Sequence, residues 1–477
     1  MSARTGTIEV DGISEAAVRL ADRIRSRTAV VVVTGMGYVG LPLAVAFAEA
    51  GLRVIGLDVD PERVATLAAG TSPVPDISSD VLARLTLPVD RVAAGETPGG
   101  ALAFTTHAEV IRAADVVVVC VPTPLDDHRE PDLSCIWAAA DQIAPHVHLG
   151  LLVVLESTSY PGTTEEVFVP CLEHPSAFHH RRRGDSPGDG AVNVIGRDVF
   201  LAFSPERIDP GRTDFTVRTT PKVVGGATST CLEVASALYA CAVDTVVPVR
   251  DTKTAEMVKL YENTFRLVNI GLVNELALMC DELGIDVWDV IEAAKTKPYG
   301  FMPFYPGPGL GGHCIPIDPL YLSWKLRSLG FDTRSIDVAT EINSLMPRHV
   351  VTRVTDALND ENKAVKGARI LLLGMAYKPD VGDVRESPAI EVMRRLTAKG
   401  AVVSFHDDHL GRVQADGRRV ESVPLDEAHI AEADCVVVLT PHSDIDWALV
   451  ARHARLVLDT TNALARAGVQ TEKVVKL

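Results

Sequence analysis

"AVVVVTGMGYVGLPLAVAFAEAG", residues 29–51, decides the fold. Its first residues are apolar without alternation, the pattern of a strand buried on both faces of a parallel sheet. A glycine turn follows, and then a helical apolar pattern. Gly35, Gly37 and Gly40 stand in the spacing G-x-G-x-x-G at the strand-to-helix turn, with Tyr38 and Val39 between them. The first glycine permits a tight turn, the second lets backbone approach a pyrophosphate, and the third lets helix and strand pack closely. The helix N-terminus offers N–H groups and a positive dipole end to phosphates. The next strand pattern, "LRVIGLDVD", ends at Asp58. A carboxylate there can accept from ribose hydroxyls and would repel a 2′-phosphate, so the turn reads as a site for NAD rather than NADP. Arg63 lies close enough to join that site, and it complicates the choice, since an arginine can bind the 2′-phosphate of NADP.

Outward from this stretch the same plan repeats. "ADVVVVCVPTP", "LLVVLESTSYPGTT" and "VFLAFSPERIDPG" are further strand-to-loop units, and strands alternating with helical stretches imply a parallel, doubly wound sheet. Pro122 and Thr123 lie in the turn after the first of these strands. Around residue 251 the texture changes, and from Thr254 to about Lys295 the apolar spacing is helical. An aromatic, proline-rich loop, "TKPYGFMPFYPGPGLGG", interrupts it, and helical pattern resumes near 319–330 and 335–358. Strands return at "ARILLLGMAYKPD", "GAVVSFHDD", "ADCVVVLTPHSD" and "ARLVLDTTNAL". The expected fold is α/β: two Rossmann-like doubly wound domains joined by a helical middle segment with a long central helix. The expected boundaries are a lead-in at 1–27 with a helix over about 13–26, an NAD-binding domain at 28–220, a helical segment carrying a dimer contact at 221–345, and a second α/β domain at 346–477. Residues 174–196, rich in glycine, proline and charge, read as an exposed insertion.

Composition narrows the function. A formal net charge of -17 disfavours nucleic acid or an anionic membrane as partner. No apolar run approaches the roughly 20 residues of a membrane span, and the N-terminus lacks the apolar core of a secretion signal. Eight cysteines without paired spacing fit reduced thiols in a cytoplasm. No metal-ligand spacing stands out.

"GPGLGGHCIPIDP", residues 307–319, places Cys314 behind glycine pairs and ahead of Asp318. A thiol in such a loop is either a nucleophile or a small apolar residue packed under a turn. The second α/β domain has only Gly374 where a fingerprint would stand, so it is not read as another dinucleotide site. Lys378, Arg385 and the loop "KPDVGDVRESP" instead put cations at a strand-to-helix loop, where open sheets bind ligands.

Taken in order, "GMGYVGLPLA", "VPTP", "ESTSYPGTT", "FSPERIDPGR", "AEMVKLYENTFR", "GPGLGGHCIPIDP" and "GMAYKPDVGDVRESP" resemble the UDP-glucose/GDP-mannose dehydrogenase family of nucleotide-sugar dehydrogenases. They span nearly the whole chain after residue 28. "SPERIDPG" and "GLGGHCIPIDP" look most like the branch acting on UDP-N-acetylhexosamines, in particular UDP-N-acetylglucosamine 6-dehydrogenases. The resemblance implies a four-electron oxidation of a sugar C6 alcohol to a carboxylate, with two NAD consumed and a homodimer built on the long helix. It implies that Cys314 adds to the intermediate aldehyde and carries a thioester. Lys259 and Asn263, four apart on one helix, would face the developing oxyanion. Asp318 would orient or deprotonate a water, Thr158 would hydrogen-bond that aspartate, and Glu206 would be the base for thioester hydrolysis. Substrate contacts would come from Arg207, Tyr305, Gly309, Gly311, Lys378 and Arg385, with Arg385 on the pyrophosphate and Lys297 a stand-in for an arginine donated across the dimer.

Two positions depart from the UDP-glucose branch: Pro210 replaces a second glutamate, and Ile317 replaces a lysine. UDP-glucose and UDP-N-acetylmannosamine remain alternative substrates. A catalytically silent nucleotide-sugar binding protein is a third reading, and intact Cys314, Lys259, Asn263 and Asp318 argue against it.

Overall fold

The computed structural model describes residues 14–74, 76–97, 99–126, 128–178, 192–207 and 214–477. Most of the 174–196 insertion and Pro210 lie outside the described residues. The chain forms two compact units, one ending at Tyr261 and the other beginning at Glu262. The boundary falls inside the helix Thr252–Leu283, whose 32 residues form the long central helix expected from the sequence.

The first unit is built on eight strands, β1 (Val30–Thr34), β2 (Arg53–Leu57), β3 (Ala101–Thr105), β4 (Val116–Val119), β5 (Leu152–Leu155), β6 (Phe200–Phe203), β7 (Lys222–Gly226) and β8 (Val246–Val249). Their order is β3-β2-β1-β4-β5-β6-β7-β8. β1 to β6 are parallel; β7 enters antiparallel to β6, and β8 runs parallel to β7. The sheet thus continues past residue 220, where the sequence pattern ended the first domain. Every residue of β1 is buried, which its run of four valines requires. The lead-in helix Glu15–Arg25, capped by Ser14, buries Ala17, Leu20, Ala21 and Ile24 and joins the core of this unit. The order reverses between β1 and β4, so the turns after these strands face one crevice.

The second unit carries a parallel sheet of β9 (Arg369–Leu373), β10 (Val402–His406), β13 (Cys435–Val438), β14 (Val457–Asp459) and β15 (Val474–Lys476) in the order β10-β9-β13-β14-β15. A hairpin, β11 (Arg412–Ala415) and β12 (Arg418–Glu421), stands apart from it. Apolar clusters cover the sheet on both faces. Ahead of it run the helices Val287–Lys295, Asp318–Ser328 and Arg334–Asp360. The helical stretch read as continuous to about Lys295 breaks at Gly284, which has a positive φ of 65°.

Candidate active site

The glycine turn has the form the fingerprint demands. Gly35 adopts φ 87°, and a Cβ there would lie 2.3 Å from the Cys120 carbonyl oxygen. A Cβ on Gly40 would meet the Gly35 oxygen at 1.9 Å, while one on Gly37 would meet nothing within 4 Å. Gly35 and Gly40 therefore let the turn pack against itself and β4, and Gly37 leaves an open cradle for a phosphate. Tyr38 and Val39 are half-buried on this turn; Pro122 and Thr123 follow β4 across the crevice.

Asp58 does more than the sequence suggested. Its carboxylate is buried and accepts from the Met36 amide at 2.7 Å, the Asp60 amide at 3.0 Å and Arg63 Nη1 at 3.1 Å. A carboxylate has about four acceptor sites, so one is left for a ribose hydroxyl. Asp58 thus ties the glycine turn to β2 and keeps one acceptor site to spare, and these residues fit NAD.

Beside this crevice the first unit gathers a buried polar cluster. Lys259 Nζ approaches Glu206 Oε2 at 3.3 Å, both side chains being under 10% exposed. Burial pushes the Glu206 carboxyl up, and Lys259 and then Lys222 oppose that shift. Lys222 donates to Glu156 at 2.7 Å and to the Pro205 carbonyl at 3.2 Å. Tyr239 gives its hydroxyl proton to the other oxygen of Glu156. Thr158 is half-buried in the loop after β5. That loop is held by Glu256, which accepts from the Gly162 amide at 2.5 Å, the Thr164 amide at 2.8 Å and the Thr164 hydroxyl at 2.7 Å. Arg207 donates to the Pro221 carbonyl at 2.7 Å. Sequence reading missed Glu156, Lys222, Tyr239 and Glu256. Glu256 had a signal, an acid three residues before Lys259 on one helix face; Lys222 had none.

In the second unit the Cys314 loop closes on itself. The Cys314 carbonyl accepts from the amides of Ile317 at 3.1 Å and Asp318 at 2.7 Å, so the thiol sits one turn ahead of the helix Asp318–Ser328. Asp318 is buried, and Asn263 Nδ2 donates to its Oδ2 at 2.5 Å. Asn263, expected to face an oxyanion, also holds the aspartate, and its amide carries a second N–H. Gly309 (φ 137°) and Gly311 pack against residues 377–388: Cβ atoms there would meet Pro388 at 3.0 Å and Tyr377 at 2.7 Å. Tyr305 donates to Glu292 at 3.0 Å, stacks on Trp288 and lies under Arg466. Arg385 pairs with Asp383, Nη2 to Oδ2 at 2.6 Å, while Lys378 is half-buried on the turn after β9. Lys297 lies over the Tyr299 ring.

Among the described residues one group has metal-ligand spacing, Asp380, His409 and His442. His442 Nδ1 accepts from the Asp380 amide and Nε2 faces Asp407 at 3.1 Å, so both its nitrogens are committed. No helix among the described residues is long and apolar enough to cross a membrane.

Three family models match in succession: the NAD binding domain of the UDP-glucose/GDP-mannose dehydrogenase family over residues 29–243, its central domain over 253–345 and its UDP binding domain over 371–466. The chain belongs to the UDP-glucose/GDP-mannose dehydrogenase family. It is similar to the NDP-N-acetyl-D-galactosaminuronic acid dehydrogenase of Ralstonia nicotianae, at 35% identity over 90% of this chain and 94% of the relative. Similarity to the UDP-N-acetyl-D-glucosamine 6-dehydrogenase of Pseudomonas aeruginosa is 36% over 79% and 82%. Among solved structures, the UDP-D-ManNAc dehydrogenase of Pyrococcus horikoshii superposes with a TM-score of 0.77 at 31% identity, covering 94% and 97% of the two chains. The protein is thus an NAD-dependent UDP-sugar dehydrogenase, with an NAD binding domain in the first unit and a UDP binding domain in the second.

Proposed function

We propose that this family member oxidises the C6 alcohol of UDP-N-acetylglucosamine to the uronic acid in two two-electron steps, through a thiohemiacetal and a thioester on Cys314. The observation that carries the chemistry is the Cys314–Asp318–Asn263 arrangement, a thiol one turn ahead of a buried, amide-held carboxylate. NAD, when bound at the Gly35–Gly40 turn, accepts a hydride in each oxidation. The Cys314 thiolate adds to the aldehyde carbon, and loss of hydride from the adduct leaves the thioester. Water then attacks the thioester carbon, the C–S bond breaks, and thiolate and carboxylate result. Glu206 takes the proton of that water, Thr158 and Asp318 help to orient it, and Lys259 stabilises the oxyanion. Lys378, Arg385, Arg207, Tyr305 and the Gly309–Gly311 backbone serve the nucleotide.

The acetamido branch draws support from the named relatives, which act on N-acetylated sugars, and from Ile317 at the position of the UDP-glucose branch's lysine. The Pyrococcus horikoshii structure favours UDP-N-acetylmannosamine as second reading. Eight free thiols suit a cytoplasmic setting.

The test is a count of NADH formed per sugar consumed with UDP-N-acetylglucosamine, UDP-N-acetylmannosamine and UDP-glucose. About two NADH per UDP-N-acetylglucosamine, and over 10-fold lower kcat/KM for the other two, is the expected outcome. One NADH per sugar would sink the thioester route, and a preference for either other sugar would overturn the substrate. Cys314→Ser should abolish acid formation while NAD binding persists.

A further inference from the structure

We propose that Lys222 is a positioning residue for Glu206: from the first position of β7 it grips the carbonyl of Pro205 and balances Glu156, fixing where the Glu206 carboxylate sits. The inference rests on the reading of Glu206 as the hydrolytic base.

The antiparallel entry of β7 makes this possible. β6 delivers Ser204, Pro205 and Glu206 to the carboxyl edge of the sheet, and β7 starts at that edge because it runs the other way. The Ser204 hydroxyl donates to the Val223 carbonyl at 2.8 Å, locking the two strand ends together. Lys222 is only 8% exposed, so its ammonium must find partners inside the protein. Two of them are the Glu156 carboxylate at the end of β5 and the carbonyl immediately before Glu206. The Tyr239 ring lies 5.2 Å from the ammonium and its hydroxyl closes the network on Glu156.

An isolated buried ion pair adds little to stability compared with apolar packing. Here the pair belongs to a group of four charges, Glu156, Lys222, Glu206 and Lys259, that sum to zero. The groups acting on Glu206 are Lys259 from the long helix, Lys222 from β7, Glu156 just after β5 and the Cys120 thiol after β4. Lys222 acts on Glu206 in the direction that keeps it ionised, and Glu156 acts against it. Opposite signs from two bonded partners give a test that a purely structural role would not pass.

The measurement is the pH profile of acid release from the thioester in single-turnover reactions of the intact enzyme with NAD and the UDP-sugar it oxidises. Lys222→Met should move the acidic limb up by about one pH unit, a roughly tenfold loss of rate at fixed pH on that limb. Glu156→Gln should move it down, and Lys222→Arg should restore the native limb. The double variant Glu156→Gln/Lys222→Met leaves no uncompensated charge, which guards against misfolding, and should bring the limb back toward its native position. Glu206→Gln is the control. A limb that survives in Glu206→Gln would overturn the role of Glu206 and this proposal with it. A limb lost in Glu206→Gln yet unmoved by Lys222→Met and Glu156→Gln, or moved the same way by both, would overturn the proposal alone.

Discussion

Single residues in the glycine turn separate cofactor binding from folding. Gly37 has room for a methyl group, whereas Gly40 has a carbonyl oxygen where its Cβ would go. Gly37→Ala should therefore leave Tm within about 1 °C of the native value and raise KM for NAD about tenfold, because the methyl occupies the phosphate cradle. Gly40→Ala should cost on the order of 2 kcal/mol or more through backbone displacement. Thermal melts and NAD titrations of both variants check the pair; equal losses of stability would refute the distinction. The sequence spacing named all three glycines and Asp58, because the fingerprint is a local backbone requirement. It did not reveal that Asp58 holds the Met36 amide, a contact that needs β2 beside the turn. The second unit repeats this device: Asp407, after β10, accepts from the Met375 amide at 2.7 Å, just as Asp58 accepts from Met36. "LLLGMAYKPD" lacks the later glycines, so the shared architecture was hidden where the dinucleotide chemistry was absent.

At the scale of elements, Glu256 joins the long helix to the start of the helix Thr163–Glu173 and to the loop bearing Thr158. Burial raises its carboxyl from 4.5 to about 7, outweighing the Gly162 and Thr164 donors that favour the ionised form. A carboxyl raised on folding binds its proton more tightly in the folded state. Its contribution is therefore fully present below about pH 4.5 and is lost as pH rises to about 7. Up to about 3 kcal/mol follows from a shift of that size. Glu256→Gln should remove this term, so the stability difference between variant and native protein should move in the variant's favour from pH 4.5 to 8. Denaturant melts at several pH values measure it, and a pH-independent difference would disprove the link. Elements of this kind were partly legible. The long valine-rich strands declared themselves by composition, whereas β3, β7, β8 and β15 did not. β7 contains two glycines and opens on a lysine, and β15 has three residues, so neither carries an apolar run long enough to read. Lys222 is buried only because β7 reverses direction, which no local pattern encodes.

The whole molecule raises the question of what covers the long helix. Met257, Tyr261, Phe265, Leu272, Met279 and Leu283 are all exposed, at intervals of four, four, seven, seven and four residues. Those intervals set them along one stripe of the helix. Scattered apolar residues on a surface need no explanation, but a stripe running the length of a 32-residue helix is costly to leave in water. We propose that a second copy of the chain covers it, since a homodimer places like stripes against each other around a two-fold axis. Tyr261 and Leu272 lie near the middle of the helix, where contact across such an axis is densest. Replacing both with glutamate would set like charges against each other at the interface and expose little new apolar surface in the monomer. Native protein should sediment at twice the chain mass at micromolar concentration, and the Tyr261→Glu/Leu272→Glu variant at the chain mass with a weakened long-helix melt. Native protein that sediments as a monomer, or a variant that stays dimeric, would reject this face as the interface.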